Sequence, residues 1–579
     1  MSVCEKNGPP GVNRWLAAYT IVHGVEASPV ERTAAGELQR YLETITGIRL
    51  PVTDAAAPPS PCEFLIGRTG RSFRADVAGL TDDGFAVRRC GGLTAIEGTC
   101  GRSTLYGVYY FLETYGGCRF YARDCEVLPS PGAFRLPDAI DDRCSPALSF
   151  RDVDWFEAHD AAFAAKLRIN SDHNRVNNAA YGKTMHYAGD RFVHTFSALL
   201  PEPWFESHPE YFALREDGER DRGALCLSHP EVVRLLTRGA LDALEADPAA
   251  DILSVSQNDN PQYCHCPACQ AVADEEGSQA GPLIRAVNAV AAAVAQRHPH
   301  VLVDTLAYMY SRKPCRTKPA DNVIVRLCSF ECEFDTTLDD PQREPNAGFA
   351  ADLEGWSQLT NRLYVWDYTT DFDIYLQTFP NFHVLQPNIQ YLLRHHVTGI
   401  FEQGNREPDG EFGALRAYLL AKLLWNPEED VQALTDGFLE HYYGKGWRHL
   451  KAYITGFEEL IRELGTGATI YAKTEKLVPF KDRRTRAFLE RARAWWDEAE
   501  AEAAGEQKER VRRSRLQFTY LSQCAACDEQ KDTASWKQEN GRLRADLIRC
   551  GIRMREHIKG TLEEVDTDIS PLEWVDPTR

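Results

Sequence analysis

At 579 residues the chain exceeds what one hydrophobic core usually serves and fits about three domains. Its 43% hydrophobic and 26% charged residues are ordinary for a globular protein. The formal net charge of −20 argues against nucleic acid and anionic membranes as partners, because both need a basic surface.

Residues 1–140 read as a small α/β domain. "YTIVHG" has the pattern of a strand. "ERTAAGELQRYLETITG" follows, with Ala35, Leu38, Leu42 and Ile45 at helical spacing and Gly47 as a stop. "CEFLIGR" and "GFAVRRCGGLTAIEG" read as further strands, the latter a pair joined by a Gly-Gly turn. "GRSTLYGVYYFLETYGG" reads as a second helix ending at Gly116-Gly117.

Residues 141–426 alternate strand-like and helix-like segments. "ALSFRDVDWF", "GALCLSHP", "DILSVSQND", "VLVDTLAYMY", "NVIVRLCSFECEF", "RLYVWDYTTDF" and "GIFEQGN" are the apolar runs, with helical patterns such as "EVVRLLTRGALDAL" and "EFGALRAYLLAKLLW" between and after them. Such alternation implies parallel strands with helical crossovers. Counting one strand near "FVHTF" or "RINSDHN" gives about eight units, the size of a (β/α)8 TIM-type barrel; the competing arrangement is an open doubly wound sheet. Residues 427–579 are helical and highly charged, and read as a C-terminal helical bundle.

Four of the later strands end in an acid: Asp259, Glu331, Asp367 and Glu402. In a barrel the C-terminal strand ends converge on the site of chemistry. Acids beside apolar runs are costly unless paired or used. The same ends carry Gln257, Asn258, Tyr308, Trp366, Tyr368 and Gln403, with Trp155 and Tyr310 also in reach of a central pocket. Flat aromatics suit the apolar faces of sugar rings, and amides and carboxylates suit their hydroxyl rims. Paired acids with aromatics point to glycoside cleavage, in which one carboxyl protonates the leaving oxygen and another attacks or activates water. Arg151, at the end of the first strand, and His194 are candidate contacts to a hydroxyl or a carboxylate. Alternation places Leu363, Val365 and Asp367 on one face and Ile400 with Glu402 on one face, without showing which face lines the barrel.

No run is apolar enough to span a bilayer, and the opening "MSVCEKNGPPGVNRW" lacks a signal-type apolar region. The expectation is a cytoplasmic protein whose 17 cysteines are reduced. Three of them, Cys264, Cys266 and Cys269, follow the fourth strand, the one that ends at Asp259, as C-x-C-x-x-C. Two readings stand: buried thiols that brace the loop, or a structural zinc site short of its fourth ligand, with His265 as a weak candidate. Catalysis by carboxylates requires no cofactor, and the partner expected is an oligosaccharide or glycan; the oligomeric state is not legible.

The stretches "SVSQNDNPQYCHCPAC", "DTLAYMYSRKP", "RLCSFEC", "GIFEQGN…GEFGALRAYLLAKLLWNP" and "HTFSALLPEPWFESHPEYFAL…LCLSHPEV" resemble the bacterial family filed as domain of unknown function 4838, over about residues 15–445. Part of that family is classed as glycoside hydrolase family 163, endo-β-N-acetylglucosaminidases acting on complex N-glycans. The N-terminal region resembles the small domain that precedes the barrel in α-glucuronidases and β-hexosaminidases. The resemblance implies a glycoside hydrolase of β-linked N-acetylglucosamine, with an α-glucuronidase-like exo-hydrolase or a non-catalytic carbohydrate-binding barrel as alternatives. Related barrels often carry a Glu after strand four, where this chain has Asn258-Asp259. That difference makes Glu331 and Glu402 the expected working pair, with Asp259 and Asp367 as alternates or substrate-orienting groups. On an N-acetylglucosamine substrate, the acetamido group itself could serve as nucleophile.

Overall fold

The structure, a computed structural model, describes residues 14–130, 134–171, 173, 178–408, 410–530 and 533–552. Strands β1 (Thr20–His23), β2 (Val52–Asp54), β3 (Glu63–Ile66), β4 (Phe85–Cys90) and β5 (Leu93–Gly98) belong to a first sheet. A small hairpin, β6 (Arg119–Ala122) with β7 (Cys125–Val127), and then β8 (Ala139–Cys144) follow. The first sheet has the order β2-β1-β3-β5-β4-β8 and carries the helices Pro29–Thr46 and Gly101–Thr114. The first helix is fixed at both ends. Ser28 and Glu31 exchange hydrogen bonds in a capping box, and Gly47 closes the helix at φ 74°, a left-handed conformation that glycine adopts without a Cβ clash. Ala35, Leu38, Leu42 and Ile45 are all buried, as their spacing predicts.

The second half of the fold is built on β9 (Phe150–Asp154), the hairpin β10 (Phe212–Leu214) and β11 (Arg220–Leu225), then β12 (Ile252–Ser254), β13 (Leu302–Ala307), β14 (Val323–Cys328), β15 (Leu363–Tyr368) and β16 (Val397–Gln403). Six of these form one wholly parallel sheet in the order β12-β13-β14-β15-β16-β9. The edges of this sheet approach each other through single pairings. Tyr187 bridges Ile252 of β12, Ser171 bridges Met185, and the Asn170 amide donates to the Arg151 carbonyl of β9 at 3.2 Å. The result is a curled parallel half-barrel. Among the described residues the parallel sheet has six of the eight expected strands, and "GALCLSHP" supplies β11, which pairs antiparallel with β10 outside it. "FVHTF" forms no strand, and "RINSDHN" contributes only the bridge at Ser171, with Asp172 and Asn174 outside the described residues. The segment from Arg168 to Tyr187 is rich in Asn and lacks the apolar run that sustains a ladder.

Alternation along the strands sorts two cores. Phe150, Ile252, Ile324, Tyr364 and Phe401 meet Tyr187 and Phe192 inside the curl. Val153, Leu253, Val303, Val325, Leu327, Leu363, Val365 and Ile400 face outward into the main core with the surrounding helices. Within the curl, Arg326 and Asp304 form a fully buried ion pair at 2.8 Å, and Arg326 also donates to the Tyr187 hydroxyl. Helices Val431–Tyr443, Trp447–Leu464, Arg483–Glu502, Gly505–Ser514, Leu516–Gln530 and Ala534–Cys550 make up the C-terminal region, packed through Tyr453, Phe457, Phe488 and Trp496. No helix among the described residues is long and apolar enough to cross a membrane.

Candidate active site

A cavity of about 250 Å³ opens at the C-terminal ends of the parallel strands. The last residue of β9, Asp154, lines it, and so does Asp259, which follows β12. These strands are the two edges of the six-stranded sheet, so the curl is what brings both acids to one hollow. Between them the strand ends supply Leu306 and Tyr308, Cys328 and Phe330, Trp366 and Tyr368, and Phe401 and Gln403.

Each wall group is held in place. The Trp366 indole donates to Gln403 Oε1 at 2.8 Å, which fixes the ring's plane. Tyr308 donates its hydroxyl to Asp259 Oδ1 at 3.2 Å. Burial and the Asp259 charge push the Tyr308 phenol up, so it remains a donor. His194 sits at φ 57°, a strained conformation for a residue with a Cβ, and the structure over-determines it. Its amide donates to Ser256 Oγ at 2.8 Å, and its Nδ1–H donates to the Gln257 carbonyl at 2.8 Å. That bond selects the tautomer in which Nε2 is an acceptor while the ring is neutral.

Asp154 is buried beside His159, His173 and Arg406. Burial alone would raise its pKa. The hydrogen bond from His159 at 2.8 Å, together with His173, His159 and Arg406, holds it at about 2. It is therefore an anion at any ordinary pH. Asp259 is exposed to the cavity and touches no cation among the described residues.

Of the residues singled out from sequence, the cavity gathers Asp259, His194, Tyr308, Trp366, Tyr368 and Gln403. It does not gather the others. Glu331 lies outside the lining, 38% exposed and paired with Arg312 at 2.9 Å. Glu402 and Asp367 are register partners on β16 and β15, but they point to the outer face with Ile400 and Val365, behind the wall formed by Trp366, Tyr368, Phe401 and Gln403. Arg151 is buried at the junction with the N-terminal sheet, paired with Asp83 at 2.8 Å. Gln257 donates to Ser311 Oγ at 2.8 Å, and Asn258 donates to the Gly223 carbonyl at 2.9 Å, so both brace loops. Trp155 bonds Thr369, and Tyr310 packs on Tyr263; neither lines the cavity.

The lining adds residues that sequence reasoning passed over: Asp154, His173, Phe192, Val193, Phe330, Phe372, Arg406 and Tyr471. Asp154 ends "SFRDVD" just as the other acids end their strands, and that signal was available. Tyr471 comes from the C-terminal region, whose segment is tied to the strand-end loops by the Phe372 amide on the Ile470 carbonyl at 2.8 Å and the Phe334 amide on the Ala468 carbonyl at 2.8 Å. Nothing local in the sequence announces that approach.

Glu402 and Asp367 behind the wall have their own signature. Burial raises Asp367 to about 6 despite a hydrogen bond from Ser329 at 2.6 Å; burial and the Asp367 charge raise Glu402 well above the carboxylate range. Glu402 Oε2 takes no hydrogen bond among the described residues. Raised folded pKa values favour the protonated fold. Their stabilising contribution is complete below the unfolded values near 4 and is lost as pH climbs through 6 and beyond. Glu402→Gln should therefore unfold at higher urea than the native chain at pH 8, by about 1–3 kcal/mol, with the gap narrowing at pH 5. Equal urea midpoints at pH 8 would contradict the burial of an ionisable pair.

A second cluster lies beyond Asp259. Cys264, Cys266 and Cys269 are joined by Cys226, just after β11, and the four Sγ atoms lie within 4.8 Å of one another. Cys226 was not singled out from sequence, because it lies on a different hairpin. Among the described residues fifteen cysteines are free thiols, the four of this cluster included.

Residues 120–455 match the family described as Domain of unknown function (DUF4838), more than half of the chain and past both edges of the expected barrel. No curated protein matches the chain. Among solved structures, a family GH115 4-O-methyl-α-glucuronidase with specificity for decorated arabinogalactans is 12% identical at a TM-score of 0.53, covering 96% of this chain and 76% of that one. A GH138 enzyme targeting pectin rhamnogalacturonan II is 9% identical at a TM-score of 0.43, covering 92% and 91%. The GH84 protein CpGH84D is 10% identical at 0.44, covering 96% of each. The first of these shows a shared fold.

Proposed function

From the premise that this chain belongs to the DUF4838 family, we propose that it is a glycoside hydrolase acting in the cavity between Asp154 and Asp259. The observation that carries the reading is the pairing of two acids in opposite electrostatic settings with an aromatic wall. Asp154, bonded to His159 and close to Arg406, stays ionised, while Asp259 faces the open cavity beside the Tyr308 phenol. Two acids on one hollow can supply a proton donor and an anion, and Asp259, beside the Tyr308 phenol, faces the space a glycosidic oxygen would enter. Asp259 is the group that passes a proton to the glycosidic oxygen. Asp154 stabilises the positive charge that develops at the anomeric carbon or orients what attacks it. Trp366 and Tyr368 offer faces to the sugar ring, and His194 Nε2 and Gln403 meet its hydroxyls.

The substrate class proposed is a glycan containing β-linked N-acetylglucosamine, cleaved internally. A second reading, an α-glucuronidase, is favoured by Arg406, a guanidinium in the lining able to meet a uronate carboxylate. It takes that role from Arg151 and Arg312, whose acid partners lie away from the cavity, and it would meet a uronate while also facing Asp154 at 3.6 Å. Incubating the purified chain with N-glycans, chito-oligosaccharides and aryl α-glucuronides, with product masses read out, separates the two readings. Binding without turnover on the whole panel would favour the carbohydrate-binding alternative. Trp366→Ala should raise KM on the cleaved substrate about tenfold, ~1.4 kcal/mol, with a smaller change in kcat; an unchanged KM would remove the sugar from that wall.

The expected units 1–140, 141–426 and 427–579 are proposed as an N-terminal α/β domain, the half-barrel that carries the site, and a helical region that lends Tyr471 to its rim.

A further inference from the structure

We propose that Cys226, Cys264, Cys266 and Cys269 bind one zinc ion as a tetrahedral tetrathiolate that clamps the β10–β11 hairpin to the loop following Asp259. A zinc–thiolate bond of about 2.3 Å sets a tetrahedron whose sulfur–sulfur edge is about 3.8 Å. The Cys226 sulfur lies 3.6 Å from that of Cys266 and 3.8 Å from that of Cys269, and all four sulfurs fall within 4.8 Å of one another. Disulfides would draw pairs to about 2.05 Å, and a merely apolar packing of thiols has no reason to converge on one centre. All four are free thiols.

The backbone around the sulfurs is also that of a metal knuckle. The Leu214 amide points at Cys264 Sγ at 3.3 Å, and the Cys269 amide at Cys266 Sγ at 3.4 Å. Such donors stabilise charge on sulfur, which a thiol does not carry and a metal-bound thiolate does. Cys266 and Cys269 have the C-x-x-C spacing with Cys266 capping the helix Pro267–Glu276. The ligands come from two separate stretches of chain, and three hydrogen bonds run beside them. The His265 amide donates to the Leu214 carbonyl at 2.7 Å, and the Asn258 and Asn260 side chains donate to the Gly223 carbonyl at 2.9 and 3.0 Å. The ion thus holds the two sides of a lobe whose inner edge carries Asp259. All four positions are taken by protein, so the metal is a structural one with no place for water or substrate.

The site stands independently of the glycosidase reading; only its effect on Asp259 rests on that reading. Elemental analysis of the purified full chain should give one zinc per chain. Titration with a mercurial should release it in step with four thiols, seen with a zinc-sensitive dye. Cobalt(II) exchanged into the protein should show the intense visible bands of tetrahedral thiolate coordination. Cys226→Ser should retain less than about a fifth of the zinc, whereas Cys315→Ser, a buried thiol elsewhere, should retain all of it. A folded native chain without metal whose four thiols react freely would overturn the proposal, as would stoichiometric iron in place of zinc, or full zinc in a folded Cys226→Ser. Metal content and cobalt spectra do not depend on turnover, so an inactive enzyme with one zinc per chain would sink the glycosidase reading and leave this one intact.

Discussion

Asp259→Asn should lower kcat on a cleaved glycan by about 10²–10⁴-fold, the range that one positioned proton donor contributes. The substitution keeps the shape and the hydrogen bond from Tyr308 and removes only the carboxyl that hands over the proton. Affinity for the intact glycan, measured by calorimetry, should stay within about threefold, because the aromatic wall and the amides are untouched. Substrates with an activated leaving group, which need little protonation, should recover a large part of the loss. If Asp259→Asn turned over at the native rate while Glu331→Gln did not, the reaction would belong to the exposed acid beside Arg312 instead.

Arg326→Met carries the largest expected effect on stability. The guanidinium is fully buried inside the curl, bonded twice to Asp304 Oδ2 at 3.1 and 2.8 Å and packed 4.6 Å from the Phe192 ring centroid. Removing it strands a carboxylate among Phe150, Tyr187 and Tyr364, at a cost of about 3–5 kcal/mol. Burial already raises the Asp304 pKa even with Arg326 present, so without it the acid would rise further. The deficit should thus be largest at neutral pH and shrink as pH falls and Asp304 takes a proton. Arg326→Met combined with Asp304→Leu should recover much of the loss, because the pair contributes little beyond neutralising itself. Urea midpoints at pH 7.5 and pH 5 read both effects. A single variant as stable as the native chain would mean that the interior of the half-barrel is wet.

The parts of the fold that were legible from sequence are those where one local pattern determines the element. The helix Pro29–Thr46 has apolar residues at helical spacing, a Ser-Glu capping box and a terminal Gly47, all of which agree. Strands β13 to β16 are apolar runs of six or seven residues, and all four are strands. What local pattern leaves open was decided by tertiary packing. Alternation correctly put Asp367 with Val365 and Glu402 with Ile400, but the helices on the outer face, not the sequence, determine that these acids point away from the cavity. Arg151 reads as a ligand contact from sequence because its partner, Asp83, lies in the distant turn before β4. Of the two expected strands outside the sheet, the one near "RINSDHN" falls in a polar stretch that sustains no ladder, and "GALCLSHP" pairs antiparallel with β10 instead of joining the parallel sheet. Cys226 and Tyr471 reach their sites from distant segments, and only the fold brings them there.

A crystal structure of Asp259→Asn soaked with an N-glycan core oligosaccharide tests the central claim most directly. The account predicts a sugar ring lying against Trp366, its scissile oxygen within about 3.2 Å of residue 259 and its anomeric carbon facing Asp154. A glycan bound elsewhere on the protein, with this cavity left empty at saturating ligand, would contradict it.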